Sequence, residues 1–148
     1  MLMTRFAVFG LVLALAACNT TQKSRRACED DVIAMKVGIF EAEAFLDALR
    51  PRIQEGYLAL DRCVDRAEPC EAEDWLAFAQ MLREDHRDAN AAFEISVNQF
   101  NPDACVAHIQ NYKIEPPRRQ TYQGYYYTFD ETGEQIDYLI NEFGRRVR

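Results

Sequence analysis

Three sets of side chains in this 148-residue sequence are capable of chemistry: five cysteines, two histidines and a cluster of tyrosines. Four of the cysteines (Cys28, Cys63, Cys70 and Cys105) form an even set that permits three pairings. Residues at equal height in an antiparallel helical hairpin have a nearly constant summed number. Cys63 and Cys70 sum to 133, as do Cys28 and Cys105. The relation selects Cys63–Cys70 as a staple beside the turn, within 64–69, and Cys28–Cys105 as a staple at the open end. Stability is the role expected of both, because the sequence holds no Cys-x-x-Cys pair of the kind that exchanges electrons.

His86 stands among Arg83, Glu84, Asp85, Arg87 and Asp88, and the same sum places it opposite Asp47. A His–carboxylate pair is the beginning of acid–base or metal chemistry, but the commoner role is a buried histidine held by an acid and sensitive to pH. Bundle metal sites use Glu-x-x-His, and position 83 is Arg. His108 has no evident partner. No Gly-x-Ser-x-Gly, Ser-x-x-Lys or His-Glu-x-x-His occurs. The expectation is therefore a protein without metal, cofactor or catalytic residues. The tyrosines Tyr122, Tyr125, Tyr126 and Tyr127 lie close to Arg118 and Arg119. Tyrosine offers apolar area with a polar tip, so these six residues are the candidate partner-binding set, with core packing as the plainer alternative.

The fifth cysteine has a different context. After Arg5 comes an apolar run, Phe6 to Ala16, of secretory length and too short to span a bilayer. It ends in Leu15-Ala16-Ala17-Cys18, which resembles the lipobox of bacterial lipoproteins. The resemblance implies cleavage before Cys18, acylation of that residue and anchoring by several acyl chains. Asn19 in the next position implies, by analogy with enteric bacteria, export to the outer membrane. An ordinary signal peptide is the alternative. Lipidation of Cys18 has the merit of leaving an even number of thiols in an oxidising compartment.

These residues need elements to position them. Val32, Met35, Ile39, Ala42, Leu46, Leu49, Ile53, Gly56, Leu60 and Cys63 alternate spacings of three and four, a helix seam packed on another helix. Ile33, Phe40, Phe45 and Tyr57 widen it. Pro51 predicts a kink or break. Trp75, Ala79, Leu82, His86, Ala89, Phe93, Ser96 and Phe100 form the answering seam. Asn101 and Pro102 cap a short helix reaching about Tyr112. A linker around Pro116-Pro117 follows. Tyr122 to Phe129 and Glu134 to Ile140 read as two strands about an Asp130-Glu131-Thr132-Gly133 turn. The rival reading of that tail is a helix using Ile136, Leu139, Ile140 and Phe143 and ending at Gly144. The favoured fold is mainly α, a disulfide-stapled antiparallel helical hairpin or small bundle with a C-terminal β-hairpin. Its parts are a signal peptide (1–17), a lipidated tether (18–27), a helical domain (28–113), and a linker with the hairpin (114–148).

With 17 Lys plus Arg against 24 Asp plus Glu and no long basic run, the chain is a poor ligand for nucleic acid. The expected function is a non-enzymatic lipoprotein on the periplasmic side of the outer membrane, binding an envelope protein as a scaffold or assembly factor. The alternatives are an envelope hydrolase built on His86, or a surface-exposed exclusion or adhesion lipoprotein.

Overall fold

A computed structural model describes residues 22–65 and 70–147, and Cys18 with its lipobox-like surroundings lies outside them. The elements are α1 (Arg25–Asp65), α2 (Ala72–Asn98), α3 (Pro102–Tyr112) and α4 (Arg119–Arg146). No strand occurs among the described residues.

Every apolar position of the first seam from Val32 to Leu60 is buried in α1. The expected break at Pro51 is absent, and α1 runs through it as one helix of 41 residues. Pro51 lies on the exposed side, where water can satisfy the carbonyl that loses its partner, while Leu49 and Ile53 stay packed on either side. At the other end Ser24 Oγ accepts a hydrogen bond from the Ala27 amide (3.2 Å), capping the helix.

α2 returns antiparallel to α1 at nearly the predicted register. Gly38 packs so closely on Ser96 that a β-carbon there would overlap the serine side chain. Arg52 reaches Asp85 (3.3 Å) and lies over the Phe78 ring (5.6 Å). Asn101 then caps α3 as anticipated, its side chain accepting from the amides of Asp103 and Ala104 at 3.0 and 3.3 Å. α3 carries Cys105 back to Cys28. The two disulfides are Cys28–Cys105 and Cys63–Cys70, with Cα separations of 5.8 and 4.8 Å, the pairs that the equal-height relation selects.

The β-hairpin is not formed. Residues 119–146, including all four tyrosines and the Asp130–Gly133 segment, make one helix of 28 residues. Its buried side chains are Phe129, Gly133, Ile136, Leu139 and Phe143, a helical spacing that overrides local strand propensity. Gly133 supplies close approach rather than a turn, since a β-carbon there would lie 2.9 Å from Arg83 Nη1 and 3.2 Å from His86 Cε1. The rival helical reading of the tail therefore holds, with a start some fifteen residues earlier, and α4 continues past Gly144.

α4 packs on both α1 and α2, completing a three-helix bundle. Its contacts run parallel to α1: Phe45 meets Phe129 (6.3 Å between centroids) and Tyr57 meets Tyr138 (5.8 Å). Phe45 and Tyr57 thus widen the seam as expected, whereas Ile33 and Phe40 remain exposed. A second, smaller core of Cys28, Val32, Cys105 and Ile114 closes the open end. Residues assigned above to a tether belong partly to this end. The Lys23 amide donates to the Ala104 carbonyl (3.2 Å), Lys23 Nζ meets Asp31 (2.6 Å), and α1 begins at Arg25.

Candidate functional site

α2 and α4 leave an open cleft of about 430 Å³ between them, lined by Arg83, His86, Arg87 and Asn90 from α2 and by Phe129, Asp130, Gly133, Glu134 and Asp137 from α4. Each group follows from helical spacing. Positions 83, 86, 87 and 90 share one face of α2, and positions 130, 133, 134 and 137 share one face of α4.

His86 forms the floor and is 5% exposed. Its Nε2 lies 2.9 Å from the Phe129 carbonyl and 3.2 Å from Thr132 Oγ1. The carbonyl can only accept, so Nε2 carries the proton. The Thr132 hydroxyl donates in turn to the Thr128 carbonyl (2.7 Å). Nδ1 faces Arg83 Nη1 at 3.4 Å, and a guanidinium can only donate, so Nδ1 is the unprotonated acceptor. Arg83 is itself held by Asp137 at 3.0 Å. Burial lowers the His86 pKa. The Phe129 carbonyl opposes that shift, Arg83 adds to it, and Asp137 and Asp130 oppose it. The result is a neutral imidazole locked in one tautomer.

Asp47, placed opposite His86 by the equal-height relation, is not its partner and instead faces Arg50 at 3.6 Å. The relation maps α1 onto α2, while the groups that hold His86 come from α4. Asp85 is turned to Arg52. His108 proves to be structural, its Nε2 donating to the Lys23 carbonyl at 2.9 Å. Among the described residues no group of three His, Cys, Asp or Glu side chains is placed to hold a metal ion.

The tyrosine set divides. Tyr122, Tyr125 and Tyr126 are half-buried against the core, with Phe93 5.0 Å from Tyr126 and 6.0 Å from Tyr125. Burial, then Glu43 and Asp47, raise the Tyr125 phenol above its ordinary pKa; burial, Glu94 and Tyr122 do the same at Tyr126. Tyr127 alone stands out from the surface, 76% exposed, while Arg118 and Arg119 are exposed where α4 begins. The strand reading paired Tyr125 with Tyr127; the helix puts them on different sides. The acids of the cleft were missed for the same reason, because Asp130, Glu134 and Asp137 share a face only once α4 is a helix.

No protein-family model, curated protein or solved structure matches the chain.

Proposed function

We propose that this protein is a lipid-anchored binding or assembly factor of the bacterial envelope, held at the outer membrane through Cys18 and turned toward the periplasm. The observation that carries the binding role is the outer surface of α4. There Tyr127 projects from a helix fixed by its half-buried neighbours Tyr125 and Tyr126. An aromatic side chain held on a rigid backbone gives contact area at low entropic cost. Two disulfides supply the rigidity that a slender helical body needs outside the cell. The lipobox-like sequence supplies the anchor.

The competing hydrolase reading has a cleft and a histidine in its favour, but the atoms are poorly arranged for it. A general base must offer a free nitrogen to the proton it abstracts. His86 directs Nε2–H into a backbone carbonyl and Nδ1 at a guanidinium.

Cross-linking in native envelopes, followed by affinity purification, separates the two. Tyr127→Ala should lose one stoichiometric envelope protein while retaining its melting temperature, and His86→Gln should keep that protein. Loss of function in His86→Gln, with folding and partner binding intact, would favour the hydrolase.

A further inference from the structure

Outward from the bundle, on the side of α1 away from its buried seam, Ile33, Val37 and Phe40 form a row at helical spacing and are 59%, 48% and 70% exposed. Ala44 and Ala48 continue it, both exposed. None of these residues lines the α2–α4 cleft. We infer that this ridge is a membrane-contact surface: Ile33, Val37 and Phe40 enter the interface of the bilayer that carries the Cys18 lipid, so that the anchor half of the body rests on the membrane. The inference rests on the lipid-anchored reading above.

Two features of the molecule point to a bilayer as the occupant. The first is reach. Three residues separate Cys18 from Gln22, so the four Cα–Cα steps span at most about 14 Å of extended chain. Lys23 is fastened to α3, so the ridge begins only ten residues along from a point held near the lipid. That is about 15 Å of helix rise, so the ridge begins within about 30 Å of the lipid and can reach the bilayer interface.

The second is charge. The half of the bundle nearest the anchor, residues 22–44 and 89–126, has seven basic and eight acidic residues. The remaining described residues, 45–65, 70–88 and 127–147, have seven basic and fifteen acidic. An anionic bilayer repels the distal half and leaves the near-neutral, apolar-ridged half in contact. A second copy of the chain fits less well. Three large side chains and two alanines fall well short of the roughly 800 Å² per partner that a stable pair buries. An amphipathic helix at an interface needs only a shallow apolar face, sunk about 5–10 Å. With α1 against the lipid, the cleft and its acidic rim face away from it.

The test uses the full lipidated protein in phosphatidylethanolamine–phosphatidylglycerol vesicles whose acyl chains are brominated near the head group. The parent has a single tryptophan, Trp75. In Phe40→Trp the added emission should be blue-shifted and quenched about twofold by the bromines, as for a side chain sunk in the interface. In Tyr127→Trp the added emission should be unquenched. Both positions are exposed, so melting temperatures should match the parent. Mass spectrometry of the Cys18 peptide is run alongside. Acylated Cys18 together with unquenched added emission in Phe40→Trp overturns the membrane contact and leaves the anchor standing. Unmodified Cys18 overturns both. Blue-shifted but unquenched emission from Phe40→Trp, in a particle of doubled mass, would assign the ridge to a second copy instead.

Discussion

The His86 ring is buried and its Nδ1 faces Arg83 rather than an acid; burial first, with Arg83 adding to it, sets the sign of its response to pH. A second proton on the ring would place positive charge beside a guanidinium in a buried site. The folded pKa is lowered by burial first, with the Phe129 carbonyl opposing and Arg83 contributing further. The unfolded chain therefore takes up the proton before the folded one does, and stability falls as pH drops. The stabilisation is complete above the ordinary histidine range near 6.5, declines as pH falls through it, and levels off below the lowered value. Thermal melts between pH 8 and 5 should show this decline, and His86→Gln should flatten it while costing stability at pH 8. An unchanged slope in the variant would assign the pH dependence to other groups. Sequence reasoning put His86 on the buried face correctly because the seam alone decides that. It chose the wrong partner because a relation between α1 and α2 is blind to α4.

α4 shows how local preference misleads. Three adjacent tyrosines and an Asp-Glu-Thr-Gly stretch favour strand and turn locally. Tyr122, Tyr125, Tyr126, Phe129, Gly133, Ile136, Leu139 and Phe143 nevertheless keep one helical stripe that two other helices cover. The first two helices were legible because their seams were long and regular. The fourth needed the whole stretch read at one period instead of being cut at a glycine. Glycine substitutions test the element directly. Nothing lies within 4 Å of a β-carbon built on Gly124, so Gly124→Ala should stabilise by about 1 kcal/mol through helix propensity alone. Gly38 sits against Ser96, so Gly38→Ala should destabilise by about 1–3 kcal/mol through overpacking despite the same propensity gain. Denaturant midpoints of the two variants should move in opposite directions. A destabilising Gly124→Ala would argue against a helix at that position.

For the whole molecule, the two disulfides act on different scales. Cys63–Cys70 closes a short loop beside the turn, with a sequence separation of 7, whereas Cys28–Cys105 spans 77. Loop-closure entropy assigns about 2.4 kcal/mol to the first and about 4.5 to the second. The long bond, however, also lies inside the small core with Val32 and Ile114, which meets the aromatic core of the bundle at its edge, through Phe100. Without it, this end gains a way to open while α1, α2 and α4 remain packed, and such fraying recovers part of the entropy advantage given to the unfolded chain. The measured global loss for Cys28→Ser/Cys105→Ser should therefore fall below the loop-closure figure, and hydrogen exchange should show where the difference went. Amides in 22–32 and 102–114 should lose protection selectively, whereas Cys63→Ser/Cys70→Ser should leave them protected. Uniform loss across all four helices would instead mean that the open end and the bundle unfold as one unit.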